Sequence, residues 1–438
     1  MNETQCVELA TGVLTVEIRE AAFPLDELCA FAARNNRKRG FLFVSKVLGK
    51  HWPASPSMIR RVHEYLAERI HVKAGPVVFI AMAETATGLG QGVFEAFLER
   101  QCRNDGLFLH TTRHRVPGRE FLNVEETHTH APDLYLYRPL AADHDALFCS
   151  ARTLVVIDDE ISTGSTLCNL VNAYRRCNRH LERVHFVAIT DFSGLNSTTR
   201  FSARVGLPVD CIAVLYGAFT FQARESALAE TPPPATGDNR CKPWTLADDV
   251  GRFGTTSPLR CHAGHLRAFA EGLESGTRVL VLGTGEFMHA AFRLGFSLEA
   301  MGFQVAVQAT TRSPILVGSG VVRRLAFPDN YGEGIANYLY NVAPEDYARA
   351  IVCHETPPVE GLRELARRLG DCVLYRFPPR SGTFTPSIII YRRITHEFPK
   401  FSGQSEAKSG RTQKRGAQIQ EPGFPECGHG GFGADCDG

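Results

Sequence analysis

The sequence predicts two successive α/β domains, each built on a parallel sheet. Apolar runs of strand length alternate with segments of helix length from Val77 to Tyr216. The alternation restarts at Arg278, after the proline-rich stretch Glu230–Gly237. The runs are apolar throughout, as strands covered on both faces by helices must be. Chain length agrees, because 438 residues exceed one ordinary core.

The elements follow in order. Leu14–Ile18 is a short apolar segment, and Pro24 closes it. Leu25–Asn35 reads as a helix, Phe41–Val44 as a strand and Ser57–Arg69 as an amphipathic helix. Val77–Met82 is an apolar strand, Gly92–Gln101 a helix and Leu107–Thr111 a strand. Arg152–Ile157, Val184–Thr190 and Cys211–Tyr216 are further strands, with the helix Leu167–Arg176 after the first. The restart gives a strand at Arg278–Leu282, a helix at Phe287–Met301 and a strand at Val305–Ala309. Ala350–Cys353, Leu362–Gly370 and Ser387–Tyr391 continue it. The expected division is an N-terminal segment 1–30, a domain 31–225, a linker 226–254, a second domain 255–395 and a disordered tail 396–438.

Composition narrows the function. Lys and Arg number 48 against 47 Asp and Glu, which argues against a polybasic nucleic-acid arm or an acidic tail. No apolar run approaches the roughly 18 residues of a membrane span. No basic and apolar leader opens the chain. The 13 cysteines include no C-x-x-C pair. A reduced, cytoplasmic protein without nucleic-acid or membrane partners is expected. His128 and His130 would share a face if extended, but no thiol or further histidine stands close enough to suggest zinc.

One segment concentrates the chemistry. The strand Thr153–Ile157 runs into Asp158, Asp159 and Glu160, and then into Ile161-Ser162-Thr163-Gly164-Ser165-Thr166 before a helix. Adjacent carboxylates at a strand's carboxyl end suit vicinal hydroxyls or hydrated Mg²⁺. Backbone N–H groups, hydroxyls and a helix start suit a phosphate. A ligand carrying a phosphate at one end and a diol at the other is a ribose 5-phosphate. No G-x-x-x-x-G-K-[ST] loop occurs.

This segment resembles the phosphoribosyl-pyrophosphate (PRPP) motif of type I phosphoribosyltransferases. The resemblance implies that Asp158 and Asp159 hold the ribose hydroxyls, directly or through Mg²⁺, and that Ser162, Thr163, Gly164, Ser165 and Thr166 hold the 5-phosphate. It implies a pyrophosphate loop after an early strand, where Glu84, Thr85, Ala86, Thr87 and Gly88 stand. It further implies a mobile hood before the acidic motif, where Arg113 and Arg115 could clamp pyrophosphate. Where purine-type members carry an aspartate near the base, this chain has Ser162, which cannot act as a general base near neutral pH. That places it closer to orotate-type members, with an acceptor whose nitrogen is already acidic.

Two further stretches widen the resemblance. Arg39–His51 (RGFLFVSKVLGKH) is similar to the signature of phosphoribosyltransferases from tellurium-resistance and stress gene clusters. Thr310-Thr311-Arg312-Ser313-Pro314 and Asp329–Gly334 resemble the TRSP domain fused behind them. Together these cover about residues 30–395. They imply transfer of ribose 5-phosphate from PRPP to a base or base-like acceptor, in biosynthesis of a nucleoside-like metabolite. The partners implied are PRPP, that acceptor, a second copy in a homodimer and other enzymes of the cluster. A PRPP-sensing regulator and a nucleotide-cleaving enzyme are the alternatives. In the second domain, Gly283, Thr284 and Gly285 follow a strand, and Arg312 and Ser313 follow the next. They are expected to line a separate pocket, with Arg312 on an anionic group distinct from PRPP. Met288 stands where a dinucleotide fingerprint needs a third glycine.

Overall fold

The computed structural model describes residues 3–34, 36, 39–124, 134–224, 246, 250–261, 263–377 and 388–391. Glu230–Gly237, the His128/His130 pair and the tail 396–438 lie outside them.

The larger sheet runs in the order Glu3–Leu9, Gly12–Ala21, Val209–Ala223, Arg183–Asp191, Thr153–Ile157, Val77–Ala81, Gly106–His110. Its last five strands are parallel. Every residue of Val77–Ala81 and of Thr153–Ile157 is buried. Side chains alternate between two cores, as a pleated strand requires. Val77, Phe79 and Ala81 pack with Val62, Leu66, Val93 and Phe94. Val78 and Ile80 pack with Phe148, Leu167, Leu170 and Phe201. Helices therefore cover both faces, which is why these strands read as unbroken apolar runs.

The first residues belong to this sheet. Glu3–Leu9 and Gly12–Ala21 form an antiparallel hairpin, and the second strand pairs antiparallel with Val209–Ala223. The helix expected over Leu25–Asn35 is corrected. One helical turn, Leu25–Leu28, gives way to a strand, Cys29–Ala33, paired antiparallel with Phe41–Ser45. The alanine-rich stretch favours helix locally. Pairing prevails, with Phe31 directly opposite Phe43 and their ring centroids 5.5 Å apart.

The smaller sheet runs Gln304–Ala309, Arg278–Gly283, Arg349–His354, Cys372–Arg376, Ile388–Tyr391, with only the last strand antiparallel. Both sheets belong to one compact unit, Met1–Arg393. Segments cross between them. Ala54 exchanges both backbone hydrogen bonds with Val307 (3.0 and 2.8 Å), at the edge of the smaller sheet. Thr255 does the same with Phe108 (2.9 and 2.8 Å), at the edge of the larger one. No helix of the described residues is long and apolar enough to cross a membrane.

The helix expected from Gly92 starts at Thr87 and runs to Gln101. Its glycines allow close packing. A Cβ at Gly90 would lie 2.4 Å from that of Ala81, and one at Gly92 would lie 2.0 Å from the buried His63 ring. Glycine to alanine inside a helix ordinarily stabilises by about 1 kcal/mol. Here Gly92→Ala should instead destabilise by about 1–3 kcal/mol through overpacking. Thermal denaturation checks this, and a higher melting temperature would contradict it.

Candidate active site

Thr153–Ile157 lies between Arg183–Asp191 and Val77–Ala81, so its carboxyl end opens mid-sheet. Asp158 donates its backbone N–H to the Val187 carbonyl at 3.0 Å, and Met82 donates to the Ile157 carbonyl at 2.8 Å. The acidic pair and the loop after Val77–Ala81 are thereby set side by side. Asp158 Oδ1 accepts from the Asp159 N–H at 2.9 Å. Burial and the adjacent Asp159 charge push the Asp158 carboxyl well above its usual range. Burial raises Asp159 too, and the charges of Arg39 and Lys50 act against that rise. Neither carboxylate is bonded to a cationic side chain among the described residues. Glu160 differs, because Arg39 holds it at 2.7 Å while lying 4.7 Å over the Phe41 ring.

The hydroxyl loop follows. Gly164 has φ 66°, and a Cβ there would meet the Phe201 ring at 2.4 Å, so only glycine fits this turn into the helix Ser165–Arg175. Thr163 is exposed, and Ser162, Ser165 and Thr166 are partly buried. Arg204, at the end of the helix Ser197–Val205, donates to Ser165 Oγ at 2.9 Å. No motif marked Arg204, yet it brings a positive charge to the predicted phosphate loop.

The residues expected to bind pyrophosphate split between a short loop and the helix. Ala83 N–H donates to Thr111 Oγ1 at 2.8 Å. Glu84 and Thr85 remain in the loop, Ala86 caps the helix, and Thr87 and Gly88 are its first turn. Thr87 Oγ1 donates to the Glu286 carbonyl at 2.9 Å. The Glu84 carboxylate accepts from Lys50 Nζ at 2.7 Å and from Arg312 Nε at 3.1 Å. Burial alone would raise Glu84, but the Lys50 and Arg312 charges outweigh it and bring the group down to about 2.

The residues assigned to a separate second pocket meet this same loop. Gly285 N–H donates to Thr310 Oγ1 at 2.9 Å, while its carbonyl and that of Thr310 each accept from Lys50 at 2.9 Å. Arg312 pairs with Glu84 and, through Nη1, with Glu333 at 2.5 Å. Burial opposes its charge, yet these carboxylates raise the guanidinium above its ordinary value. Ser313 N–H donates to Thr311 Oγ1 at 3.2 Å, and its carbonyl accepts from the Tyr340 hydroxyl at 2.8 Å. Gly283 has no room for a Cβ beside the Phe287 carbonyl, at 2.2 Å. The Thr284 hydroxyl is buried without a partner among the described residues.

The hood segment contributes differently from its arginines' promise. Arg115 is exposed, and Arg113, partly buried, donates its backbone N–H to Glu286 at 2.8 Å. The residue between them turns inward. His114 bonds Glu333 at 2.9 Å and stacks on Tyr331 at 4.2 Å. Arg252, fully buried, holds both oxygens of Glu355 at 3.0 and 2.9 Å and reaches Glu286 at 3.3 Å. Burial would raise Glu286, but the charges of His114 and Arg252 hold it well below the usual range. Sequence reasoning missed Lys50, His114 and Arg252. Lys50 sat inside a noted signature, whereas Arg252 fell in the expected linker.

Fold and geometry together define a class. This is a doubly wound α/β protein with an acidic pair and a hydroxyl loop at one strand's carboxyl end. Residues 28–218 match the model of a phosphoribosyl transferase family, and residues 249–369 match the TRSP domain found C-terminal to it. The chain belongs to the phosphoribosyl transferases that carry a TRSP domain. No curated protein matches it. Similar solved structures include adenine phosphoribosyltransferase from Leishmania tarentolae, 15% identical over 52% of this chain and 97% of that one, with a TM-score of 0.34. That of Trypanosoma brucei, in complex with AMP, pyrophosphate and ribose-5-phosphate, is 14% identical over 49% and 85%, with a TM-score of 0.32.

The titrations set a pH trend. Burial lowers His51 to about 3 and His354 to about 4, from an ordinary 6.5. The unfolded chain therefore binds more protons than the folded one as pH falls through that window. Glu84, lowered from 4.5 to about 2, adds stability that is present above 4.5 and lost below it. The raised Asp158 and Asp159 act oppositely. Burial lowers His63, His110 and His185 as well, and these five histidines all lose stability as pH falls, so the melting temperature should fall from pH 7 to pH 4. Scanning calorimetry across that range checks this, and a rise would contradict it.

Proposed function

We propose that this protein transfers the 5-phosphoribosyl group from PRPP to the nitrogen of a base or base-like acceptor and releases pyrophosphate. The carrying observation is the Asp158–Asp159 pair, open at the carboxyl end of the central strand and followed at once by the Ser162–Thr166 loop. The C1–O bond to pyrophosphate breaks with its electron pair leaving on the phosphate oxygen. The N–C1 bond forms, and the proton of the acceptor nitrogen passes to solvent.

The chain's own groups divide that work. Ser162–Thr166 and the start of the helix Ser165–Arg175 hold the 5-phosphate and fix the ring for attack. Asp158 and Asp159 hold the ribose hydroxyls, and their negative charge favours the cationic ribosyl group that develops at C1. The first turn of the helix Thr87–Gln101 offers N–H groups to the departing pyrophosphate. Ser162 supplies no base, so the acceptor must bring an acidic nitrogen.

The donor set fits Mg²⁺. Two adjacent carboxylates stand at the strand's carboxyl end, neither bonded to a lysine or arginine among the described residues, and burial raises both. Bound there with PRPP, Mg²⁺ would neutralise charge on the pyrophosphate and improve it as a leaving group. We further propose a cytoplasmic setting in biosynthesis of a nucleoside-like metabolite tied to tellurium resistance or stress, as the resemblance of Arg39–His51 and of the TRSP stretches implies.

Asp158→Asn combined with Asp159→Asn should lower pyrophosphate release from PRPP more than about a hundredfold while circular dichroism stays unchanged. Wild-type release by the folded double variant would reject the site.

The raised carboxyl pair gives a second test. Burial raises both carboxyls, so a cation arriving beside them favours loss of their protons. Binding of PRPP with Mg²⁺ should therefore release more protons as the pH of the titration is lowered. Calorimetry in two buffers of different ionisation enthalpy measures this. Uptake of protons, or release undiminished in the double Asn variant, would contradict it.

A further inference from the structure

We propose that Arg312, a residue of the second domain, is a positioning residue of the transferase site. It acts by neutralising and orienting Glu84 where pyrophosphate departs, and this rests on the function proposed above. The TRSP motif then serves no separate pocket but completes the first domain's site.

The geometry is direct. Glu84 stands in the loop that follows Val77–Ala81, beside the acidic pair, because Ala81 pairs with Ile157 and Met82 bonds the Ile157 carbonyl. A bare carboxylate here would repel a pyrophosphate. Two cations answer it, one on each oxygen. Lys50 takes Oε1 at 2.7 Å and Arg312 takes Oε2 at 3.1 Å. Lys50 comes from the first domain and is 1% exposed. Arg312 comes from the second, and Glu333 fixes its other arm at 2.5 Å. With both oxygens engaged, Glu84 has one orientation and no free charge.

The second domain also reaches the first through the chain just past Arg312. Leu316 donates its N–H to the Ala33 carbonyl at 3.1 Å, and Ile315 bridges to Arg34, so the chain just past Arg312 lies along the strand Cys29–Ala33. That strand pairs with Phe41–Ser45. Phe41 carries Arg39, the partner of Glu160 next to the acidic pair. The segment Arg312–Leu316 thus touches the transferase domain both at Glu84 and at Ala33–Arg34.

The test is a charge cycle read by PRPP affinity. Full-length wild type, Arg312→Ala, Arg312→Lys, Glu84→Gln and the double variant Arg312→Ala with Glu84→Gln are titrated with PRPP and Mg²⁺ by calorimetry. Melting temperatures are recorded alongside. Arg312→Ala should weaken PRPP about tenfold or more, as loss of a charge-assisted pair does. Arg312→Lys should weaken it less, since charge remains without the planar fork. Glu84→Gln alone should tighten PRPP binding, because Lys50 and Arg312 then keep their charge without that carboxylate. The double variant should return to within about threefold of wild type, because removing one positive and one negative charge restores the local net charge. A merely structural arginine predicts lost thermal stability, unchanged affinity per folded molecule and no rescue by Glu84→Gln, and any of these last two results overturns the proposal. Binding by wild type with equal affinities in every variant rejects the role of Arg312 and leaves the transferase reading standing. No PRPP binding by wild type rejects both.

Discussion

An ammonium group placed out of water must give all three of its hydrogen bonds to acceptors that cannot move away. Lys50 does so, with Glu84, the Gly285 carbonyl and the Thr310 carbonyl at 2.7, 2.9 and 2.9 Å. These acceptors sit on the loop after one strand of the larger sheet and on the loops after two strands of the smaller one. The requirement of one buried charge thereby fixes three loops from two sheets. Lys50 itself is held by backbone pairing on either side. Ala309 donates to the Gly49 carbonyl at 2.7 Å, and Ala54 exchanges bonds with Val307.

What the loops share is their position at the carboxyl ends of parallel strands. Such ends collect polar groups because ligands bind there in open sheets. When two of them meet, carboxylates from both sides are enclosed together. Glu84, Glu286, Glu333 and Glu355 are each met by a donor: Lys50 and Arg312, Arg252 and Thr112, Arg312 and His114, and Arg252 and Tyr331. Burial keeps Tyr331 protonated by pushing its pKa well above the ordinary value, so it serves Glu355 as a donor.

The sheets were legible in the sequence because their signal is local. A strand buried on both faces is apolar throughout, and Val77–Ala81, Thr153–Ile157 and Arg278–Gly283 each announce themselves within five or six residues. The acidic pair and hydroxyl loop were legible for the same reason. Errors arose where local preference and distant pairing disagreed. Cys29–Ala33 reads as helix until Phe43 is placed opposite Phe31. Gly88 and Gly90 read as loop glycines until the helix is seen to start at Thr87, where Met288 and Ala81 need the space. The contact between Glu84 and Arg312 joins residues 228 positions apart, and no period or motif in either segment encodes the other.

The enclosed charges also differ in kind from the packing that joins the two sheets. Apolar side chains of similar volume would hold two domains together at least as well, since desolvation consumes most of what buried ion pairs return. Ion pairs differ from apolar contacts in being directional. A bidentate or two-sided pair has one low-energy geometry, whereas packed aliphatic groups tolerate sliding. Close packing already exists here, where Gly88 admits Met288 and the helices Pro56–Glu68, Thr87–Gln101 and Met288–Ala300 meet. The charged network is added to that packing, next to the acidic pair. Its physical effect is to hold the loop of Glu84 in one position relative to Asp158 and Asp159. The proposed transfer, whose leaving group and ribosyl group must stay aligned while charge separates, requires a fixed distance of that kind.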